Sequence, residues 1–419
     1  MRKPIPAKRG PFCRTSQESI SPMGCALSGS SRGDAGCTGG GSEQIIPSVA
    51  QAPLPTVRPL ASLPSEMPSL PFIFLSQHEL IAVLKEHLMH RDMAATKYGR
   101  QPASFQASSL IAVNGMSGVG KTTTAVSLIH DEEVRCSFDK ICWVSLGQEP
   151  DTATLQQKLY TQLTGHELPM DAQGDVREAT RALKNVSRDV SVLLVLDDVW
   201  VTAHATPLNF VDLAASRSAV VITTRIHDSI EGAIEVQCGT LNNEDAIELL
   251  LRTAGCGHML SASPPAAHVA VDLCGCLPLA LGIVGAVIAE LADTWQTDLI
   301  PLLKDEFEYV SVEERVVVAS LRAMPEAVRA GAEAVFTVLA VFAEASTVPT
   351  ASIDLLVSLL PDEQKHQGML HLQRCLSQLL KANILNGSIE GGIVFQCDDV
   401  TRTHACAFAT HIPNHVSLL

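Results

Sequence analysis

The chain has 419 residues, 46% of them hydrophobic and 18% charged, which is enough apolar material for two or three packed domains and too much for a wholly disordered polypeptide. Its net charge is −15, unevenly spread: residues 1–70 carry seven Lys/Arg against four Asp/Glu, and the remainder 23 against 41. A body that acidic repels a phosphate backbone, so direct nucleic-acid binding is disfavoured.

Aromatic content of 4% points to a helix-rich interior packed with Leu, Ala and Val. Among twelve cysteines no C-x₂-C pair occurs, and Cys274-Gly275-Cys276 is too close for a zinc pair. Several lie in apolar runs, where free Cys behaves as a small hydrophobe, favouring a reducing, cytoplasmic setting. No secretory signal opens the chain, and no transmembrane segment is expected.

Residues 1–70 are rich in Pro, Gly and Ser without a hydrophobic period and read as a disordered N-terminal segment. Within them Met23-Gly24-Cys25 through Ser28 fits an acylation pattern, for a translation start at Met23. From Ser76 an amphipathic helix is predicted, with Leu80, Ile81, Val83, Leu84 and Leu88 at helical spacing. Strands follow at Leu110–Val113, Ile141–Val144, Val192–Leu196 and Ala219–Thr223, separated by helical or loop segments such as a helix over 152–164. That alternation predicts an α/β fold with a parallel sheet covered on both faces. Beyond about 240 the strand signals stop and helices are predicted over 243–254, 265–274 and 278–291. A smaller, mostly helical unit over 310–410 closes with a hairpin at Ile389–Phe395. The expected division is 1–70, a P-loop domain 71–240, a helical domain 241–305, a further domain 306–410 and a tail 411–419.

Gly115-Met116-Ser117-Gly118-Val119-Gly120-Lys121-Thr122 matches G-x-x-x-x-G-K-[ST], with a predicted strand before it and a helix after it. The glycines let backbone N–H groups wrap phosphates, and the helix N-terminus adds positive potential. Lys121 reaches the β/γ-phosphates, and the Thr122 hydroxyl ligates Mg²⁺. Leu193–Leu196 is an apolar strand that ends in Asp197 and Asp198, 76 residues after Lys121. One carboxylate there holds Mg²⁺ directly or through water, and the second orients or deprotonates an attacking water. Arg225 ends the next predicted strand, where an arginine can cap a helix or pair with Asp198.

Five segments in this order resemble the NB-ARC domain of the STAND NTPases, which include plant resistance proteins and apoptosome scaffolds. They are Gly115–Thr123, Cys142–Ser145, Leu193–Trp200, Ile222–Arg225 and Cys274–Ala280. The resemblance runs from about residue 74 to 409 and implies an ATP/ADP site with Mg²⁺ and a winged-helix-like unit at 306–410. It implies nucleotide contacts from 115–123, Mg²⁺ at Thr122 and Asp197, catalytic roles for Asp198 and for Arg225 as γ-phosphate sensor, and a base-packing role for Pro278. Proline there is also a helix start.

Three departures stand out. Cys397-Asp398-Asp399 aligns with the family's Met-His-Asp, so an anion occupies the histidine position that touches the ADP β-phosphate. Phe74-Leu75-Ser76 replaces Val-Gly-Arg, and Cys276 replaces the first glycine of Gly-Leu-Pro-Leu-Ala. No coiled coil or TIR-like unit before the P-loop, and no repeat array after position 410, is read from the sequence.

The resemblance implies an ADP/ATP switch in intracellular, defence-like signalling, hydrolysing ATP slowly and self-associating in the ATP state, with its upstream sensor and downstream effector unspecified. Three alternatives stay open: a P-loop ATPase or phosphotransferase with its own substrate, a nucleotide-insensitive scaffold, and a winged-helix DNA regulator, which the acidic charge disfavours.

Overall fold

Consecutive apolar residues flanked by turn signals can be buried on both sides of a sheet, and four such runs become four of the five strands of one sheet. The computed structural model describes residues 59–97, 109–213, 217–227, 230–305, 311–339, 347–359, 369–388, 394–396 and 405. The acylation pattern at Met23 and the Cys397–Asp399 signature lie outside them.

Strands β1 (Leu110–Asn114), β2 (Lys140–Gly147), β3 (Val192–Val199), β4 (Ala219–Thr224) and β5 (Ile234–Gln237) form one sheet in the order β2-β3-β4-β1-β5. Every pairing in it is parallel. The first four strands coincide with the predicted runs. The fifth, Ile-Glu-Val-Gln, has two apolar residues and is half-buried, so it gave no signal of its own.

Side chains alternate across the sheet with period two. Ile141, Trp143, Leu193, Val195, Ala219 and Val221 face one core, while Cys142, Val144, Leu194, Leu196, Val220 and Ile222 face the other. On the first face lie α1 (His78–Lys97), α2 (Lys121–His130) and α3 (Glu132–Ser137); on the second, α4 (Thr152–Thr164) and α5 (Val176–Ser187). The open edge of β2 is blunted by a side chain. Gln162 accepts from the Trp143 N–H at 2.8 Å and donates to the Trp143 carbonyl at 2.9 Å, occupying polar groups that a further strand would use.

Residues 59–70, read from composition as part of the disordered segment, are instead packed. Ala61 is 4% exposed; its N–H donates to the Arg135 carbonyl at 3.0 Å, and its own carbonyl accepts from Arg135 Nε at 3.0 Å. Their order comes from tertiary contact rather than local periodicity, which is why composition alone missed it.

After a short helix α6 (Thr202–Ala205) and strands β4 and β5, the chain is helical: α7 (Asn243–Thr253), α8 (Pro265–Leu273), α9 (Pro278–Leu291), α10 (Trp295–Lys304) and α11 (Val312–Ala323). Then come α12 (Glu326–Leu339), α13 (Thr350–Leu359) and α14 (Met369–Lys381). Beside them lies a small antiparallel sheet of β6 (Thr347–Pro349), β7 (Asn386–Ser388) and β8 (Val394–Gln396), ordered β6-β8-β7. The expected hairpin is the β7–β8 pair, with Ser388 opposite Val394.

Helix α11 packs on α9 and α10, and Arg315 Nη2 donates to the Leu273 carbonyl.

By length and composition the stretch Pro278–Lys304 could cross a membrane. It is broken by a 3₁₀ turn at Ala292–Thr294, and Ile283, Val284, Val287 and Ile288 of α9 are buried in the protein core.

Candidate functional site

The parallel sheet brings the carboxyl ends of β1, β3 and β4 to one rim, and the functional side chains follow from that register. The segment 115–120 joins β1 to α2, with Gly115, Gly118 and Gly120 all at positive φ. At Gly115 a side chain is excluded outright, because a Cβ would lie 2.5 Å from the Cys238 carbonyl oxygen. Helices α3, α4, α5, α7 and α11 each begin at an Asp, Asn or Ser whose side chain accepts a first-turn N–H. Helix α2 begins at Gly120, with no side-chain cap. Its first amides are left for another acceptor, which suits an anion.

Lys121 is buried, and its Nζ donates to the carbonyls of Gly115 at 3.0 Å and Met116 at 2.9 Å. Burial lowers its pKa first, and the nearby Arg225 charge lowers it further. The ammonium is therefore held across the loop it would share with a phosphate. Met116 is exposed, Ser117, Thr122 and Thr123 are half-buried, and Val119 points into the core.

Asp197, at the end of β3, is 4% exposed. Its Oδ1 accepts from Thr122 Oγ1 at 2.8 Å and Thr223 Oγ1 at 2.7 Å, and its Oδ2 from Ser145 Oγ at 3.2 Å. Burial pushes its pKa up, against the pull of these hydroxyls. A buried carboxylate whose hydrogen-bond partners are all hydroxyls, one of them on the P-loop helix, is a donor set that fits a hydrated Mg²⁺.

Asp198 adopts φ 53°, and its N–H donates to Thr223 Oγ1 at 2.8 Å. Arg225 lies one residue past β4, with Nε 3.8 Å from Asp198 Oδ1, so of the readings open for this arginine the pairing with Asp198 is present. Pro278 is the first residue of α9, and the next residue's N–H, that of Leu279, donates to the Gly118 carbonyl at 3.2 Å. Leu279 also closes on Gly118 itself, where a Cβ would meet it at 3.0 Å.

Ser145 and Thr223 lay within predicted motifs, but their roles were not read. The signal was available: each is the first polar residue after an apolar strand, and Ser145 is the direct register partner of Asp197.

A parallel sheet with a glycine loop, lysine and hydroxyl at the end of β1 and a carboxylate at the end of β3 defines a P-loop nucleotide-binding fold. Residues 101–258 match the model of the NB-ARC domain, and this segment is an NB-ARC domain. Among similar proteins are a probable disease resistance protein of Arabidopsis thaliana, 26% identical over 61% of this chain and 30% of the relative, and the apoptotic protease-activating factor 1 of Danio rerio, 28% identical over 63% of this chain and 20% of that protein. The chain therefore spans under a third of either relative. Of solved structures, a STAND signal-transduction ATPase with a tetratricopeptide-repeat sensor from Pyrococcus horikoshii aligns at TM-score 0.46 and 15% identity, over 81% of this chain and 43% of that one.

Proposed function

We propose that this chain is an ADP/ATP-dependent molecular switch in intracellular signalling, with the nucleotide held at the seam between the sheet and the helices that follow it. The observation that carries this reading is the Leu279 N–H to Gly118 carbonyl bond, because it joins the first turn of α9 to the phosphate loop itself. A ligand in that loop is then felt by the helical region, as a switch requires.

In this reading Gly115–Thr123 cradle the phosphates, Lys121 moves from its two carbonyls to the β/γ-phosphates, and Pro278 packs on the base and ribose. Thr122 and Asp197 hold Mg²⁺, which when bound offsets phosphate charge. Asp198 orients water, and Arg225 senses the γ-phosphate. Hydrolysis is slow and resets the switch. The ATP state self-associates, and sensor and effector proteins act on the chain in the cytoplasm, in a defence-type pathway by analogy with the resistance proteins. The unit 306–410, with its three short strands, is the winged-helix-like lid.

The test is to purify the full chain without added nucleotide, denature it and identify what is released. Near-stoichiometric ADP supports a locked resting switch. Lys121→Arg should weaken nucleotide affinity about ten- to a hundredfold, the loss of a charged hydrogen bond. A Lys121→Arg protein that retains nucleotide like wild type would sink the assignment.

A further inference from the structure

Three side chains just beyond the phosphate loop form a closed triangle. Between Leu196 and Val199 the register of β3 against β4 shifts, and Asp198 takes a left-handed backbone conformation there. This turn places Trp200 and the Asp198 carboxylate around Arg225. The Arg225 Cζ stands 4.3 Å from the centroid of the Trp200 ring. The indole Nε1–H donates to Asp198 Oδ2 at 3.0 Å, while Asp198 Oδ1 faces Arg225 Nε at 3.8 Å. That last distance is too long for a hydrogen bond, so the carboxylate contact is an ion pair, while the ring covers a face of the guanidinium. Both charged side chains are about four-fifths buried, with 21% and 22% exposed, a setting in which a cation over an indole face counts for more than at an open surface.

Lys121 and Arg225 are close enough for their charges to repel. A third phosphate would draw Arg225 off the ring; a diphosphate would leave it in place. We propose that Trp200 is the positioning residue of Arg225, and that by holding the guanidinium on its ring it sets how much more tightly the site takes a nucleoside triphosphate than a diphosphate. The inference rests on the nucleotide-switch reading above.

The experiment measures ADP and non-hydrolysable ATP-analogue affinities, with Mg²⁺, for the full-length wild type, Trp200→Phe and Trp200→Ala. Removing the ring should raise the triphosphate-to-diphosphate affinity ratio about three- to thirtyfold. Trp200→Phe, which keeps a stacking face but loses the indole donor, should fall between the two. A ratio that is unchanged or lowered in Trp200→Ala overturns the proposal.

Wild-type fluorescence gives a second measurement that needs no folded alanine variant. The analogue should shift emission where ADP does not, and Trp200→Phe should lose that difference, which separates Trp200 from the buried Trp143 and Trp295. Equal emission with both nucleotides overturns the proposal. A wild type that binds neither nucleotide overturns the switch reading itself, a result distinct from intact binding with an unmoved ratio.

Discussion

Asp197 is ionisable, buried and surrounded by hydroxyls, and this combination has a measurable consequence. Because burial raises its folded pKa above the ordinary 3.8, the folded protein holds this proton more tightly than the unfolded chain. Its contribution to stability is therefore fully present below about pH 3.8 and falls as pH rises from there through the folded pKa. Asn at this position keeps a carbonyl for Thr122 and Thr223 and offers an N–H₂ toward Ser145, whose hydroxyl can turn to accept. Melting temperatures of Asp197→Asn and wild type, measured without nucleotide from acid to neutral pH, should diverge upward in the variant's favour and then plateau. On the switch reading, the same variant should lose the extra stabilisation that Mg²⁺ adds to bound nucleotide. A difference that stays flat with pH would mean that Asp197 does not titrate in this window.

At the scale of elements, two glycines make opposite demands on their neighbours. In α9, a Cβ at Gly285 would lie 2.7 Å from Thr253 Cβ and 2.9 Å from the Leu250 carbonyl oxygen, so α7 and α9 cross at a distance that only glycine permits. In α12, a Cβ at Gly331 would meet Cys375 Sγ and His371 Nε2, both at 2.6 Å, which are side-chain atoms on α14 that can rotate away. Alanine gains about 1 kcal/mol of helix propensity at either site. Overpacking against backbone costs about 1–3 kcal/mol, so Gly285→Ala should be net destabilising. Gly331→Ala should lie within about 1 kcal/mol of wild type. Urea unfolding of the two variants would decide it, and equal losses would contradict this account of the two helix crossings. Elements were legible where local chemistry marks both ends: α4 runs over the predicted 152–164 because Asp151 caps one end and Gly165, at φ 76°, closes the other. They were illegible where tertiary contact supplies the order, as in β5, in the Ala61–Arg135 pairing and in the packing of α11 on α9. The site divides the same way. Lys121, Thr122 and Asp197 are motif residues, whereas the convergence of Ser145 and Thr223 on Asp197 is set by parallel register, and the stacking of Trp200 on Arg225 by the turn at Asp198.

Across the whole molecule, one hydrophobic cluster runs without interruption from Ile111 and Val113 of β1 through α9 and α11 to Leu385. The phosphate loop sits on that cluster through Val119, and α9 meets the loop again at Leu279. A nucleotide bound in the loop should therefore stabilise the helical region as well as the sheet. At a hundred times its dissociation constant a ligand adds about 2.7 kcal/mol to every opening that releases it, which is about a hundredfold in amide exchange. Hydrogen exchange of the full chain with and without ADP should show slowing of this order in β1, β3 and α2, and also in α9 from Ala280 to Ile288. Slowing confined to the sheet and α2 would mean that α9 opens without releasing nucleotide. The Leu279–Gly118 bond would then be a packing contact rather than a coupling element, and the seam would lose its claim to be the place where nucleotide state reaches the rest of the molecule.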